Sequence, residues 1–168
     1  MIETDRLTLI PLTFNQVTKY IKNDNSLEKE LSLNVSSRDI SAELKEALEQ
    51  IILPDSTYTN INYLYSTLWI VILRADNNIV GDLCIFGEPN EEGEIKIGYG
   101  THEEFRMKGY MTEAVGGIIR CAGSQPEVNS IIASTEITNI ASCKVLENNK
   151  FIKVDETETE FNWRFKLR

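Results

Sequence analysis

One short stretch of this chain combines basic residues, a glycine and the start of a helix-like pattern. It runs from Arg106 to Thr112 and contains Lys108 and Gly109, and it follows a strand-like apolar run at residues 95–101. The first turn of a helix has unpaired backbone N–H groups and the positive end of the helix dipole. Because glycine lets the backbone approach a ligand and basic side chains add charge, the stretch predicts a phosphate-binding site.

Two better-known phosphate motifs do not fit this sequence. A Walker loop needs G-x-x-x-x-G-K-[ST], and a dinucleotide fingerprint needs G-x-G-x-x-G after a strand. Here Gly98 and Gly100 lie inside the strand, and Glu103 stands where a third glycine would be. Because strand side chains alternate, the two glycines leave one face of the strand bare. Either an extended ligand lies there or one glycine marks a bulge, and the phosphate loop downstream favours the ligand.

Composition limits the class of protein. A chain of 168 residues with 42% hydrophobic residues predicts one folded domain over residues 1–168. A net charge of −9, from 17 basic and 26 acidic residues, disfavours a nucleic-acid partner and is compatible with a cationic substrate. No apolar run could span a membrane and no signal peptide pattern opens the chain, so we expect a cytoplasmic protein with no membrane partner. Cys84, Cys121 and Cys143 are expected as buried free thiols, and the single His102, expected in an exposed loop, predicts no metal site.

Hydrophobic periodicity and turn residues predict the order of elements. Strands are predicted at residues 7–11, 67–74, 79–86, 94–101, 128–135, 151–154 and 161–167. Helices are predicted at residues 13–21, 26–33, 41–52, from the glycine loop to 123, and 139–148. This order predicts an α/β (α+β) fold with a single mixed, mostly antiparallel sheet of about seven strands and helices on both faces. Gly116 and Gly117 weaken their helix and predict close packing against the sheet.

The stretch from Arg106 to Met111 resembles the [RQ]-x-x-G-x-[GA] motif of the GNAT superfamily of N-acetyltransferases. The wider runs I-G-Y at 97–99 and K-G-Y-M-T-E-A at 108–114 resemble the branch that acetylates ribosomal-protein N-termini. Two further motifs match the same branch. They are the opening E-T-D-R-L-T-L at 3–9 and the pattern N-x-x-S, V-L-E and F from Asn139 to Phe151. The resemblance covers residues 3–12 and about 69–154. It implies the acyl-CoA N-acyltransferase type of fold, with acetyl-CoA as cosubstrate and no metal.

Three residues depart from the family pattern. Met111 stands where the motif has glycine or alanine, and it would crowd a pyrophosphate unless it turned into the core. Lys150 replaces a glycine that normally ends a helix in the left-handed conformation, so Asn149 is expected to take that conformation. Lys96 stands where many relatives have glutamate, and Glu94 on the same strand face is the expected substitute.

The resemblance also implies which residues contact acetyl-CoA. The pantetheine arm is expected along the strand that ends with Thr101, and the pyrophosphate on the backbone amides from Met107 to Thr112. A backbone N–H near Tyr99 or Gly100 would stabilise the developing oxyanion. The cofactor contacts implied in this way are Tyr99, Gly100, Thr101, Arg106, Met107, Lys108, Gly109, Tyr110, Met111, Thr112, Asn139 and Ser142.

Acetyl transfer to an amine requires a base, because amines are mostly protonated at neutral pH, and an acid helps the thiolate to leave. Ser142 is the first candidate for the acid or for holding a water, and its simpler role is a helix-start serine. Asn139 either contacts the pantetheine amides or caps the helix. Glu136 and Glu94 are the candidate bases, and the simpler role for each is an exposed strand-end carboxylate.

The leading interpretation is an N-acetyltransferase in which a primary amine of a protein N-terminus or a small molecule attacks acetyl-CoA directly. A non-catalytic acyl-CoA sensor is the alternative, because Met111 and Lys96 depart from the pattern and no base is evident. An interaction domain with a vestigial pocket is a third interpretation. Tyr63, Tyr65 and Trp69 are expected near the acceptor, with core packing the simpler role for Trp69. The identity of the acceptor and pairing into a homodimer stay open.

Overall fold

The computed structural model describes residues 1–35, 38–40, 42–48 and 64–168. The strands in these ranges are β1 (Ile2–Glu3), β2 (Leu7–Pro11), β3 (Leu68–Leu73), β4 (Asn78–Ile85), β5 (Glu94–Thr101), β6 (Ser130–Glu136), β7 (Ile152–Glu156) and β8 (Glu160–Lys166). The helices are α1 (Phe14–Lys22), α2 (Ser26–Leu31), α3 (Ala42–Ala47), α4 (Tyr110–Gly123) and α5 (Ile140–Asn148). A short 3₁₀ turn, Glu103–Phe105, precedes α4.

The eight strands form one sheet in the order β1-β2-β3-β4-β5-β6-β8-β7. All neighbouring pairs are antiparallel except β5 and β6, which are parallel. The predicted mixed, mostly antiparallel sheet is therefore confirmed. The eighth strand is β1, a two-residue edge strand in which Ile2 pairs with Leu9.

Both faces of the sheet are covered, which explains why β3 is buried along its whole length. Alternate residues of β3 point to opposite faces. Val71 packs in the core beneath α4 and α5, whereas Ile70 packs in a second core with residues of α1 and α2. The turn between β3 and β4 contains Asn77 with φ of 49°, as its asparagines predicted.

The helix starts follow local rules. Thr13 caps α1 and forms a capping box with Gln16.

In α4, a Cβ on Gly117 would lie 3.1 Å from a methyl group of Thr4, and a Cβ on Gly116 would lie 3.3 Å from Oδ1 of Asn149. The close packing was predicted against the sheet; Gly117 makes it with Thr4 and with Ile2 of the edge strand β1, and Gly116 makes it with Asn149 at the end of α5.

Part of the predicted third helix is confirmed. Residues 42–47 form α3, whereas residues 41 and 49–52 of the predicted stretch lie outside the described residues, as does Tyr63. Leu48, just after α3, is fully buried in the core that α1 and α2 also build. Within the described ranges, no helix has the length and apolar character needed to cross a membrane.

Candidate active site

The parallel strands β5 and β6 stay together over only part of their length. Their pairing runs from Glu94 opposite Ser130 to Lys96 opposite Ile132, and beyond that point the described strands diverge. A cavity of about 400 Å³ opens between the diverging halves, and Ser142 at the start of α5 closes one side of it. Backbone groups that face this cleft are free to bind an extended ligand.

Backbone N–H groups at the start of α4 have no hydrogen-bond acceptor among the described residues. From Met107 to Thr112, none of these groups donates a hydrogen bond to any described residue. Met107 and Gly109 have positive φ values of 62° and 77° and flank Lys108, whose φ is not positive. Such alternation turns successive N–H groups towards one side, which is typical of backbone anion sites.

A second cavity, of about 650 Å³, connects this loop with the cleft. It extends from Tyr99 and Ser142 to the helix start at Gly109. The charged residues among its described lining are Arg106 and Lys144, and no acidic residue is among them. In a chain with a net charge of −9, this local excess of positive charge favours an anionic ligand.

The N-terminal segment holds the loop in place. Nε of Arg6 donates to Oε2 of Glu113 at 2.7 Å, and Oγ1 of Thr4 donates to Oε1 at 2.6 Å. The Arg6 guanidinium also donates to the carbonyl of Lys108 at 3.1 Å and lies 4.7 Å from the centre of the Tyr110 ring. The sequence contained the signal, since Thr4 and Arg6 belong to the opening motif and Glu113 to the loop motif, but their contact was not predicted.

This network gives a prediction for stability at acid pH. Burial raises the pKa of Glu113, but the bonds from Thr4 and Arg6 outweigh it, so the pKa lies below its ordinary value. A carboxylate whose pKa is lowered in the folded state stabilises the fold at pH values above its unfolded-state pKa, about 4.3. This stabilisation is lost as the pH falls from there through the folded-state pKa. We expect Glu113→Gln to cost on the order of 1 kcal/mol at pH 7 and progressively less towards pH 3.

Denaturant unfolding of both proteins from pH 7 to pH 3 measures this difference. Glu147→Gln, which changes an exposed carboxylate on α5, is the matched control and should track the wild type. A deficit in Glu113→Gln that stays constant over the whole pH range would contradict the role given to the ionised carboxylate.

The two departures at positions 111 and 150 have structural explanations. Met111 is only 4% exposed, and its Cε lies 3.0 Å from where a Cβ of Gly81 would be, so its side chain is in the core and leaves the loop clear. The expectation for Asn149 was wrong. Lys150 itself has φ of 66°, while Asn149 has φ of −88° and donates from Nδ2 to the carbonyl of Thr112.

Tyr99, Ser142 and Asn139 meet at the inner end of the cleft. Oγ of Ser142 donates to Oη of Tyr99 at 3.0 Å, and the Tyr99 hydroxyl donates to the carbonyl of Ser142 at 3.0 Å. Oδ1 of Asn139 accepts the backbone N–H of Ser142, so Asn139 caps α5. Burial raises the pKa of Tyr99 to about 12, against a smaller opposing effect of the bond from Ser142.

The two candidate bases lie at different places. Glu136 is exposed at the end of β6, in the lining of the cleft, with Glu160 opposite it on β8. Glu94 lies at the closed end of β5, where Arg164 binds it at 2.8 Å and Ser130 donates to it at 3.1 Å. The structure therefore brings Glu136, but not Glu94, to the cleft.

Two aromatic residues expected near the acceptor can be located. Trp69 is 2% exposed in the core and donates from Nε1 to the carbonyl of Leu64. The Tyr65 hydroxyl donates to Glu127 at 2.8 Å. Neither residue lines the cavities beside β5.

His102 is not exposed, contrary to the expectation from its loop position. It is 8% exposed, because Nδ1 lies 3.1 Å from the carbonyl of Ile79 and Nε2 lies 3.3 Å from Oη of Tyr20. Tyr20 in turn donates to Oδ2 of Asp82 at 2.8 Å. This buried cluster of three side chains had no signal in the sequence, since its members come from three distant segments.

A mixed sheet whose parallel pair diverges beside a helix start with unpartnered backbone N–H groups is the arrangement expected of an acyl-CoA N-acyltransferase. The model for the acetyltransferase (GNAT) domain matches residues 6–152. The chain therefore belongs to the GNAT acetyltransferase family, which confirms the resemblance of its motifs.

Individual relatives agree with this assignment. The uncharacterized N-acetyltransferase YjdG of Bacillus subtilis is 28% identical over 166 residues, which cover 97% of this chain and 96% of that protein. An acetyltransferase (GNAT family) structure from Bacillus anthracis matches with a TM-score of 0.68 at 17% identity, over 99% of this chain and 98% of that one.

A structure of RimL, the ribosomal L7/L12 alpha-N-protein acetyltransferase, in complex with coenzyme A has a TM-score of 0.66 at 15% identity, over 97% of this chain and 95% of that one. The two structural matches show a shared fold. Acetyl transfer is the activity supported by the family and by the relative YjdG, and the interpretation as a non-catalytic sensor is not favoured.

Proposed function

We propose that this acetyltransferase takes its acetyl group from acetyl-CoA and transfers it to a primary amine by direct attack in the cleft between β5 and β6. The single observation that carries the proposal is the row of unpartnered N–H groups from Met107 to Thr112 beside that cleft. A pyrophosphate is the ligand that such a row of donors at a helix start suits best.

The residues present fit coenzyme A. The buried position of Met111 leaves room at the loop, and Arg106 and Lys144 add positive charge to the cavity. The pantetheine arm would follow β5, with Asn139 offering its side-chain amide from the opposite wall. When bound, the thioester supplies the activated acetyl group.

Tyr99 is the residue we assign to the departing sulfur. It lines the cavity at the loop and the cleft, so it lies where the two meet. Thiols have pKa values near 8.5, and the pKa of Tyr99 is raised to about 12 by burial. A phenol so weakly acidic keeps its proton, and it stabilises the thiolate as a hydrogen-bond donor when its O–H turns from the carbonyl of Ser142 to the sulfur. Ser142 positions it, because its hydroxyl donates to the phenol oxygen.

The experiment combines binding and turnover. Calorimetric titration of the chain with acetyl-CoA should show one site, and thiol release should follow when primary amines or peptides with free N-termini are added. No heat of binding at millimolar acetyl-CoA would refute the proposal. Binding without turnover on a broad amine panel would instead restore the sensor interpretation.

We expect Tyr99→Phe to lower kcat about tenfold while the dissociation constant for acetyl-CoA changes less than about twofold. The ring stays in place, and only the hydroxyl beside the sulfur is removed. Steady-state thiol release measures kcat, and calorimetry measures binding.

Tyr65→Phe is the matched control for this variant, because it removes a hydroxyl that binds Glu127 away from the cavities beside β5. It should keep the wild-type kcat. Equal kcat values for both variants would show that the Tyr99 hydroxyl takes no part in the reaction.

A further inference from the structure

A third cavity, of about 720 Å³, lies on the other side of β5. It shares Tyr99, Gly100, Thr101 and Arg106 with the cavity at the phosphate loop. The two cavities therefore meet at the same segment of strand, one on the cofactor side and one on the side of α1 and α2. A molecule in the third cavity would reach the cleft across the glycines of β5.

The charges in the two cavities are opposite. Among the described residues, four carboxylates line the third cavity, those of Asp39, Asp82, Glu103 and Glu104. The arginines in its described lining are Arg106 and Arg38, and the guanidinium of Arg38 is fully buried in an ion pair with Glu28. The pair is neutral as a unit, so the cavity keeps an excess of negative charge that favours a cation.

Asp82 is the buried carboxylate of this cavity, with 6% of its surface exposed. Its Oδ2 accepts the Tyr20 hydroxyl at 2.8 Å, and its Oδ1 has no hydrogen-bond donor among the described residues. A Cβ on Gly100 would lie 3.6 Å from this Oδ1, so the oxygen faces the bare part of β5. Oδ1 is therefore open to the cavity and available to accept a hydrogen bond from a ligand.

Tyr20 fixes the orientation of Asp82, and His102 lies beside the pair. Burial, and next the charge of Asp82, raise the pKa of Tyr20 well above its ordinary value, so the phenol keeps its proton and donates it to Oδ2. Nδ1 of His102 is within bonding distance of the Ile79 carbonyl, which accepts its proton. In the neutral imidazole, Nε2 is then unprotonated and lies 3.6 Å from Oδ2 of Asp82.

We propose that Asp82 binds the ammonium group of the acceptor in this third cavity and removes its proton, and that the acceptor is a cationic primary alkylamine. This inference rests on the proposed function and names the base that the reaction needs. In the step, one N–H bond of the ammonium breaks, its electron pair stays on nitrogen as the attacking lone pair, and the proton moves to Oδ1.

The test compares Asp82→Asn with the wild type, with 1,4-diaminobutane as the acceptor and thiol release as the readout. We expect kcat/KM at pH 7 to fall about a hundredfold, the effect of removing a general base. We also expect the deficit to shrink to about tenfold at pH 10, where far more of the amine is uncharged in solution. A merely structural role would leave the deficit independent of pH.

Two measurements keep the test decisive. The dissociation constant for acetyl-CoA should stay within about twofold, which shows that Asp82→Asn is folded. Gly100→Ala adds one methyl group facing Oδ1 at an ordinary contact distance, and it should raise the KM for the amine with little change in kcat. Asp76→Asn, in the turn between β3 and β4, is the control and should match the wild type.

The outcomes separate the two proposals. Acetylation by the wild type, with Asp82→Asn within threefold of it or with a deficit that is the same at pH 7 and pH 10, would overturn the role of Asp82 alone. Absence of turnover by the wild type with every amine would overturn the proposed function and this inference together. Loss of activity that is recovered at high pH supports both.

Discussion

Replacing Gly109 with glutamate is expected to lower the affinity for coenzyme A by more than about a hundredfold. The side chain would place a carboxylate at the start of α4, where the unpartnered N–H groups are expected to bind the pyrophosphate. Gly109 also has φ of 77°, a conformation that costs an ordinary residue about 1–2 kcal/mol. A Cβ there would be 3.6 Å from the Arg6 guanidinium, so the side chain has space and the fold should survive.

Gly87→Glu is the matched control for this variant. Gly87 also has a positive φ, of 94°, and apart from its chain neighbours no atom of the described residues lies within 4 Å of where its Cβ would be. The control therefore adds the same charge and the same backbone cost away from the loop. Calorimetry with coenzyme A should give the wild-type affinity for Gly87→Glu, and equal affinities for all three proteins would show that the loop is not the phosphate site.

Gly81→Ala is expected to reduce the free energy of unfolding by about 3 kcal/mol, the upper part of the range for overpacked sites. The new Cβ would lie 2.4 Å from the carbonyl oxygen of Gly100 and 3.0 Å from Cε of Met111. The methionine can move, but the carbonyl belongs to β5, which pairs with β4 at this point. Relief of the clash must therefore separate the two strands.

Gly100→Ala is the control from the neighbouring strand, since its Cβ would be 3.6 Å from Asp82, an ordinary contact. Its stability should lie within about 1 kcal/mol of the wild type. Urea unfolding measures the difference in unfolding free energy between each variant and the wild type, when one slope of free energy against urea concentration is used for all three proteins. A loss in Gly81→Ala no larger than in Gly100→Ala would mean that β4 and β5 are not held as closely as described.

The regular elements were predictable where the pattern is local. Residues 94–101 were predicted as a strand and form β5 with the same bounds, because alternation and the flanking turns act within a few residues. The start of α5 was likewise predictable, since Asn139 is a good N-cap. β1 was missed, because a two-residue strand has no periodicity and forms only through its pairing with β2.

The site was only partly predictable, because much of it depends on contacts between distant segments. The glycine loop was identified from its own residues, but the bonds from Thr4 and Arg6 to Glu113 join residues more than a hundred positions apart. The burial of His102 depends on Tyr20, which is 82 positions away along the chain. Local sequence could not place such groups together.

The most direct test of the account follows the backbone amides of the loop by NMR during titration with coenzyme A. We expect the amide resonances from Met107 to Thr112 to shift at saturation, because their N–H groups have no acceptor among the described residues. Pantetheine, which lacks the pyrophosphate, should shift those of Tyr99 to Thr101 and leave the loop unchanged. Loop resonances that do not move with saturating coenzyme A would contradict the claim that these groups bind the pyrophosphate.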